Sequence, residues 1–143
     1  MSRILLPIDP DQPARTRAAV EQVLRMRVSG PVTVRLLRVQ PKLSGHVAML
    51  FGTSELHELL QKTGAEDLQL AQTLLELAGV SYTSTVLVGR SAETIVTAAR
   101  DFHCDRIVFG RDEAGLAGKL FGSLAQQVRQ LLDDASGGPQ VIG

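Results

Sequence analysis

The sequence predicts an α/β fold, a five-stranded parallel sheet with helices on both of its faces. Two observations predict it. Short runs dense in aliphatic and β-branched residues, Arg3–Asp9, Val32–Val39 and Asp105–Gly110, read as strands, the last two with both faces at least partly covered. Between such runs lie longer segments with apolar residues at helical spacing. Strand and helix therefore alternate along the chain, and that alternation gives parallel strands joined by right-handed crossovers. With 143 residues and no repeat, linker or low-complexity tract, residues 1–143 make one domain.

Arg3–Asp9 is the first strand. Pro7 donates no ladder hydrogen bond and is tolerated because it stands near the strand's carboxyl end. Pro10–Pro13 turns the chain, with Asp11 as a candidate cap and Pro13 in the first turn of a helix. That helix directs Ala19, Val20, Val23 and Leu24 inward and leaves Arg15, Arg17, Arg25 and Arg27 on solvated faces. Ser29-Gly30-Pro31 stops it, with glycine supplying a left-handed cap. Val32–Val39 is the second strand, and 40–52 is a loop without period. Ser54 caps a long helix to about Ala78, which Gly64 weakens or kinks at a cost of ~1 kcal/mol relative to alanine; Gly79 ends it. Ser81–Val88 is the third strand and Gly89-Arg90 a turn. Ser91 caps a helix that buries Ile95, Val96, Ala99 and Phe102. Asp105–Gly110 is the fourth strand. A loop holding Gly115 and Gly118 then leads to Gly122-Ser123, which open a helix with Leu124, Val128, Leu131 and Leu132 on its buried stripe. Residues 133–138 connect to a last short strand, Pro139–Ile142.

Composition narrows the function. Fifteen basic and fifteen acidic residues cancel, which argues against nucleic acid or a membrane surface as partner. A single cysteine excludes an internal disulfide and suits a reducing compartment. No segment matches a bilayer span, and the first apolar run is shorter than a signal peptide requires. A cytoplasmic protein is expected.

Ligands of such sheets sit beyond the carboxyl ends of the strands, near the point where strand order reverses. Asp9, Val39 and Gly110 lie at those ends. Glycines after Gly110 permit close backbone approach, and the unpaired N–H groups of a helix start attract an anion. Arg111 is a further candidate, as a charge-assisted donor to phosphate. Each has a plainer alternative: Asp9 can cap the following turn, and Arg111 can pair with Asp112 or Glu113. No catalytic residue and no metal site is assigned. His46, His57 and His103 lack zinc-ligand spacing, and Ser123 lacks a G-x-S-x-G elbow. Cys104 has no histidine–acid pair to activate it and reads as a small hydrophobe. No G-x-G-x-x-G follows the first strand and no G-x4-G-K-S/T occurs, which argues against a dinucleotide dehydrogenase and a P-loop NTPase. A phosphorelay receiver needs an acid where the third strand ends, and this chain has Val88-Gly89-Arg90 there.

Val88 through Gly110, the first strand ending Pro7-Ile8-Asp9, and Gly122-Ser123 before an amphipathic helix resemble the universal stress protein family. The resemblance covers nearly the whole chain, with the elements in matching order. It implies the adenine nucleotide alpha hydrolase-like sheet with strand order 3-2-1-4-5. It also implies a stress-response role, unidentified protein partners and a homodimer, paired in the family through the last strand; as that strand is here only the Pro139–Ile142 stub, helices or the long loop are the alternative contact. ATP-binding members carry G-x2-G-x9-G-S/T. By resemblance Asp9 and Val39 line the adenine and ribose side, Pro7 belongs to the same nucleotide site, and Gly110, Gly122 and Ser123 hold phosphates of ATP, with Mg²⁺ accompanying it. Glu113 stands in place of the second glycine, and the segment from Ala114 to Phe121 is one residue shorter than the family's spacer. Two readings follow. One is a regulatory module that binds ATP poorly or not at all and acts through dimerisation and protein partners; both departures favour it. The other is an adenine-nucleotide-binding protein with an altered loop and slow ATPase activity.

Overall fold

The computed structural model describes residues 1–42, 52–110, 115–133 (the backbone alone over 115–123) and 138–143. Among these, β1 (Ser2–Pro7), β2 (Val32–Gln40), β3 (Tyr82–Val88), β4 (Arg106–Val108) and β5 (Gln140–Ile142) form one sheet. Its order is β3-β2-β1-β4-β5, and every pairing is parallel. The fold expected from the sequence is the one observed. The helices are α1 (Pro13–Arg27), α2 (Thr53–Asp67), α3 (Gln69–Leu77), α4 (Ser91–Asp101) and α5 (Gly115–Asp133).

The strand period of two feeds two separate cores. Ile4, Leu6, Val34 and Leu36 meet Val20 and Val23 of α1 and Ala71 and Leu75 of α3. On the other face Leu5, Leu37 and Ile107 meet Ile95 and Ala99 of α4 and Ala125 and Val128 of α5. Burying each of these valines, leucines and isoleucines stabilises the fold by about 1.5–3 kcal/mol relative to exposure. β1 lies between β2 and β4, so strand order reverses there, and β1 ends at Pro7, with the Ile8 N–H making a last bond to the Leu37 carbonyl of β2. No helix among the described residues is long and apolar enough to cross a membrane.

Several local expectations are corrected. The long helix expected over 54–78 divides at Leu68, not at Gly64. The two pieces have different partners: α2 lies on β2 and β3, whereas α3 lies on α1. Gly64 answers a packing need instead. A Cβ there would lie 2.4 Å from Val86 Cγ1. Gly64→Ala gains about 1 kcal/mol of helix propensity, but it drives a methyl into a β-branched side chain that is stiff at χ1. Overpacking costs about 1–3 kcal/mol, so we expect a net loss of about 1 kcal/mol by urea denaturation. A gain would show that α2 can lift off β3 freely.

The expected N-caps are also displaced. Gln12, Gly52 and Arg90 occupy the N-cap positions of α1, α2 and α4, and none makes a side-chain cap. Gly30 is not left-handed, unlike Gly79 (φ +71). At Gly79 the expected stop is formed: its N–H and that of Val80 bond the carbonyls of Glu76 and Leu75. These are the two bonds of a Schellman cap. α4 ends in the same way, with His103 and Cys104 donating to Arg100 and Ala99, but there His103 holds the left-handed position at φ 55. That conformation costs a residue bearing a Cβ about 1 kcal/mol. His103→Gly should therefore stabilise the protein by up to about 1 kcal/mol, or raise Tm by roughly 3 °C. A calorimetric Tm that falls would refute this.

The largest difference concerns α5. The loop expected up to Phe121 is helical from Gly115, so α5 begins well before Gly122.

Candidate functional site

At the carboxyl ends of β1 and β2 a cavity of about 220 Å³ is lined by Pro7, Ile8, Asp9, Leu37, Arg38, Val39, Ser91, Ile95 and Leu124. The structure thus brings together three of the sequence candidates, Pro7, Asp9 and Val39. β1 and β2 run side by side with Pro7 opposite Leu37, so their ends form one wall. α4 and the Leu124 turn of α5 form the other. Ile8, Leu37, Val39, Ile95 and Leu124 supply aliphatic contacts to the walls, while most of the surface open to a ligand is polar.

Polar groups sit at the rim. Asp9 Oδ1 accepts the Asp11 N–H at 3.0 Å, so part of its carboxylate closes the turn into α1. Its other oxygen has no hydrogen-bond donor among the described residues. Arg38 donates through Nη1 to the Val39 carbonyl at 2.8 Å and through Nε to Asp67 Oδ2 at 3.0 Å. This pair is partly exposed and contributes at most about 1 kcal/mol. Its positional effect matters more, because it fixes a guanidinium beside the cavity and fills one acceptor site of the Val39 carbonyl. Ser91 opens α4, and the first turn of a helix presents unpaired N–H groups.

The remaining candidates fall elsewhere. Gly110 does not line the cavity; it lies against the first turn of α1, where its carbonyl accepts from Arg15 Nη1 at 3.3 Å. Arg15 is only 4% exposed, which corrects its expected place on a solvated face. Gly122 and Ser123 lie inside α5, roughly two turns or 10 Å beyond its first residue. In a helix their N–H groups are taken by carbonyls four residues earlier, so neither is offered to an anion. Arg111 and Glu113 lie outside the described residues.

Sequence reasoning did not single out Leu37, Arg38, Ser91, Ile95 and Leu124 as a shared wall. Ile95 and Leu124 carry only a core signal, because the stripe that packs a helix also lines a cavity at its end. Arg38 reads as a solvated arginine until Asp67 is brought beside it.

The profile described as the universal stress protein family matches residues 1–133. Among curated protein sequences none matches the chain. Solved structures match over 99% of it. Hypothetical protein MJ0577 shares 24% identity and a TM-score of 0.71, with 94% of its own chain covered. An Arabidopsis thaliana universal stress protein family protein with AMP bound shares 15% identity and a TM-score of 0.61, with 91% covered. The Archaeoglobus fulgidus universal stress protein in complex with dAMP shares 20% identity and a TM-score of 0.55, with 97% covered. At these identities the likeness to solved structures is a likeness of fold.

Proposed function

The chain belongs to the universal stress protein family, and on that premise we propose that it is a cytoplasmic stress-response regulatory module that binds ATP poorly and acts through self-pairing and protein partners. The observation that carries this reading is the position of Gly122-Ser123 inside α5. The crevice at Pro7, Asp9 and Val39 offers aliphatic side chains for a base and the Asp9 carboxylate as acceptor for a ribose hydroxyl. A triphosphate needs converging donors beyond it, and the N–H groups of the glycine–serine pair are spent within the helix. Glu113 adds a carboxylate in place of a glycine. Self-pairing has a physical basis too: β5 is a short edge strand whose outer backbone groups have no partner among the described residues.

A second reading, an adenine-nucleotide-binding protein with slow ATPase activity, is favoured by the AMP and dAMP held by two of the similar structures. Calorimetry with adenosine, AMP and ATP–Mg²⁺ separates the two. The first reading expects ATP to bind no more tightly than adenosine. ATP binding at least about tenfold tighter than adenosine, a gain of ~1.4 kcal/mol from the phosphates, would overturn it in favour of the second.

A further inference from the structure

We propose a second binding site at the opposite end of the sheet, for a small organic anion, a carboxylate or phosphate carried on a hydroxylated body. It does not rest on the nucleotide reading. A cavity of about 370 Å³ opens at the amino ends of β1, β2 and β3, larger than the crevice and within the span of ~300–1,000 Å³ usual for small-molecule sites. Arg3, Thr33, Arg35 and Thr83 contribute to its lining, with Phe102 and Cys104 beside them.

Strand register explains the cluster. Arg3 pairs with Thr33 and Leu5 with Arg35 across β1 and β2, and Arg35 pairs with Thr83 across β2 and β3. Alternation places Arg3, Thr33, Arg35 and Thr83 on the same face as Leu5 and Leu37. That face is packed by α4 and α5 where Leu5 and Leu37 lie, while Thr83 is exposed. A parallel sheet ordinarily carries aliphatics on both faces. This corner carries two cations and two hydroxyls instead.

Arg35 is held in place before any ligand arrives. Its guanidinium lies over the Phe102 ring, 4.0 Å from the centroid, and Nη1 donates to Thr85 Oγ1 at 3.1 Å. Among the described residues no carboxylate pairs with it. The rest of the guanidinium fork is left for a planar carboxylate or a phosphate. Both cations act on the cavity wall: burial pushes the Cys104 thiol up, Arg35 pulls it down, Asp105 pushes it up and Arg3 pulls it down. The Asp105 carboxylate is engaged, accepting the Arg3 backbone N–H at 2.7 Å. An arginine that merely faced water would need neither the aromatic clamp nor the hollow before it.

The test is titration calorimetry of the whole chain at roughly 50 mM salt, where charge pairing is little screened. The probes are glucose 6-phosphate, citrate and inorganic phosphate, with glucose as neutral control. At least one anion should bind with Kd below about 1 mM and glucose should not. The phosphate and citrate arms distinguish the two anion types. Arg35→Gln should weaken binding at least about tenfold, and Arg38→Gln, at the crevice, should leave it unchanged. Bound anion should move the backbone amide resonances of Thr33, Thr83 and Phe102. No anion binding below about 1 mM, equal binding by Arg35→Gln, or shifts centred on Asp9 and Val39 would each overturn the proposal. If Arg35→Gln unfolds by circular dichroism, Thr83→Val replaces it, with about threefold weakening expected and unchanged binding refuting.

Discussion

Gly110→Ala is expected to lose about 3 kcal/mol of stability, more than the single methyl added by Gly64→Ala. A Cβ at this position would lie 1.9 Å from the Arg15 carbonyl oxygen, 2.7 Å from its carbon and 3.0 Å from Cα. All three are backbone atoms, so no rotamer change relieves the overlap. The clash at Gly64 is with a side chain, and the cost there is smaller. Relief at Gly110 requires the amino end of α1 to move away from β4, which also stretches the Arg15 Nη1 bond to the Gly110 carbonyl. Overpacking of a core costs ~1–3 kcal/mol, and a contact with immovable backbone belongs at the upper end. In a domain of this size that lowers Tm by roughly 10 °C. Urea denaturation should show a lower midpoint with an unchanged slope. A loss below about 0.5 kcal/mol would mean that α1 and β4 are not in this contact.

Restoring the two departures from the family's nucleotide loop is expected to raise ATP affinity at least about tenfold. The proposed variant is Glu113→Gly with one proline inserted between Phe121 and Gly122. By resemblance the second glycine lies beside the phosphates, and Glu113 brings a carboxylate there. Two unit charges ~4 Å apart at an effective dielectric near 20 repel by ~4 kcal/mol before salt and Mg²⁺ reduce it. A remainder of ~1.4 kcal/mol is already tenfold. The inserted residue restores the spacer length. As proline it also breaks α5 ahead of Gly122, at a cost of ~3 kcal/mol to the helical turns before it, and lets a helix start at Gly122-Ser123. Their N–H groups then become free for an anion. Glu113→Gly without the insertion should give a smaller gain, because the pair stays inside the helix. Calorimetry with ATP–Mg²⁺, and adenosine as control, reads the difference. An equal gain from the single change would show that helix position does not limit binding.

Much of this protein is local and was therefore legible in its sequence. Five strands, their order with the helices, and the two cores follow from aliphatic alternation, since residues two apart on a strand share a face whatever surrounds them. The place of Pro7, Asp9 and Val39 at one end of the sheet follows from parallel strands alone, which put all carboxyl ends together. Gly79 as a helix stop was legible too, because only a left-handed residue completes that cap without strain.

What remained hidden depends on partners distant in sequence. The start of α5 had a signal, Leu116, Leu120, Leu124, Val128 and Leu132 four residues apart, but Gly115 and Gly118 disguised it at ~1 kcal/mol each in propensity. The division at Leu68 falls between two segments that meet different neighbours, α2 on β2 and β3 and α3 on α1. Arg15 is buried because Gly110, 95 residues away, lacks the Cβ that would keep α1 off β4. His103 takes a glycine's conformation because Cys104 must enter the core behind it. Sequence periodicity determined which residues turn inward. Only the tertiary structure decided which inward residues meet, because close approach of two backbones is a property of the pair and is written in neither segment.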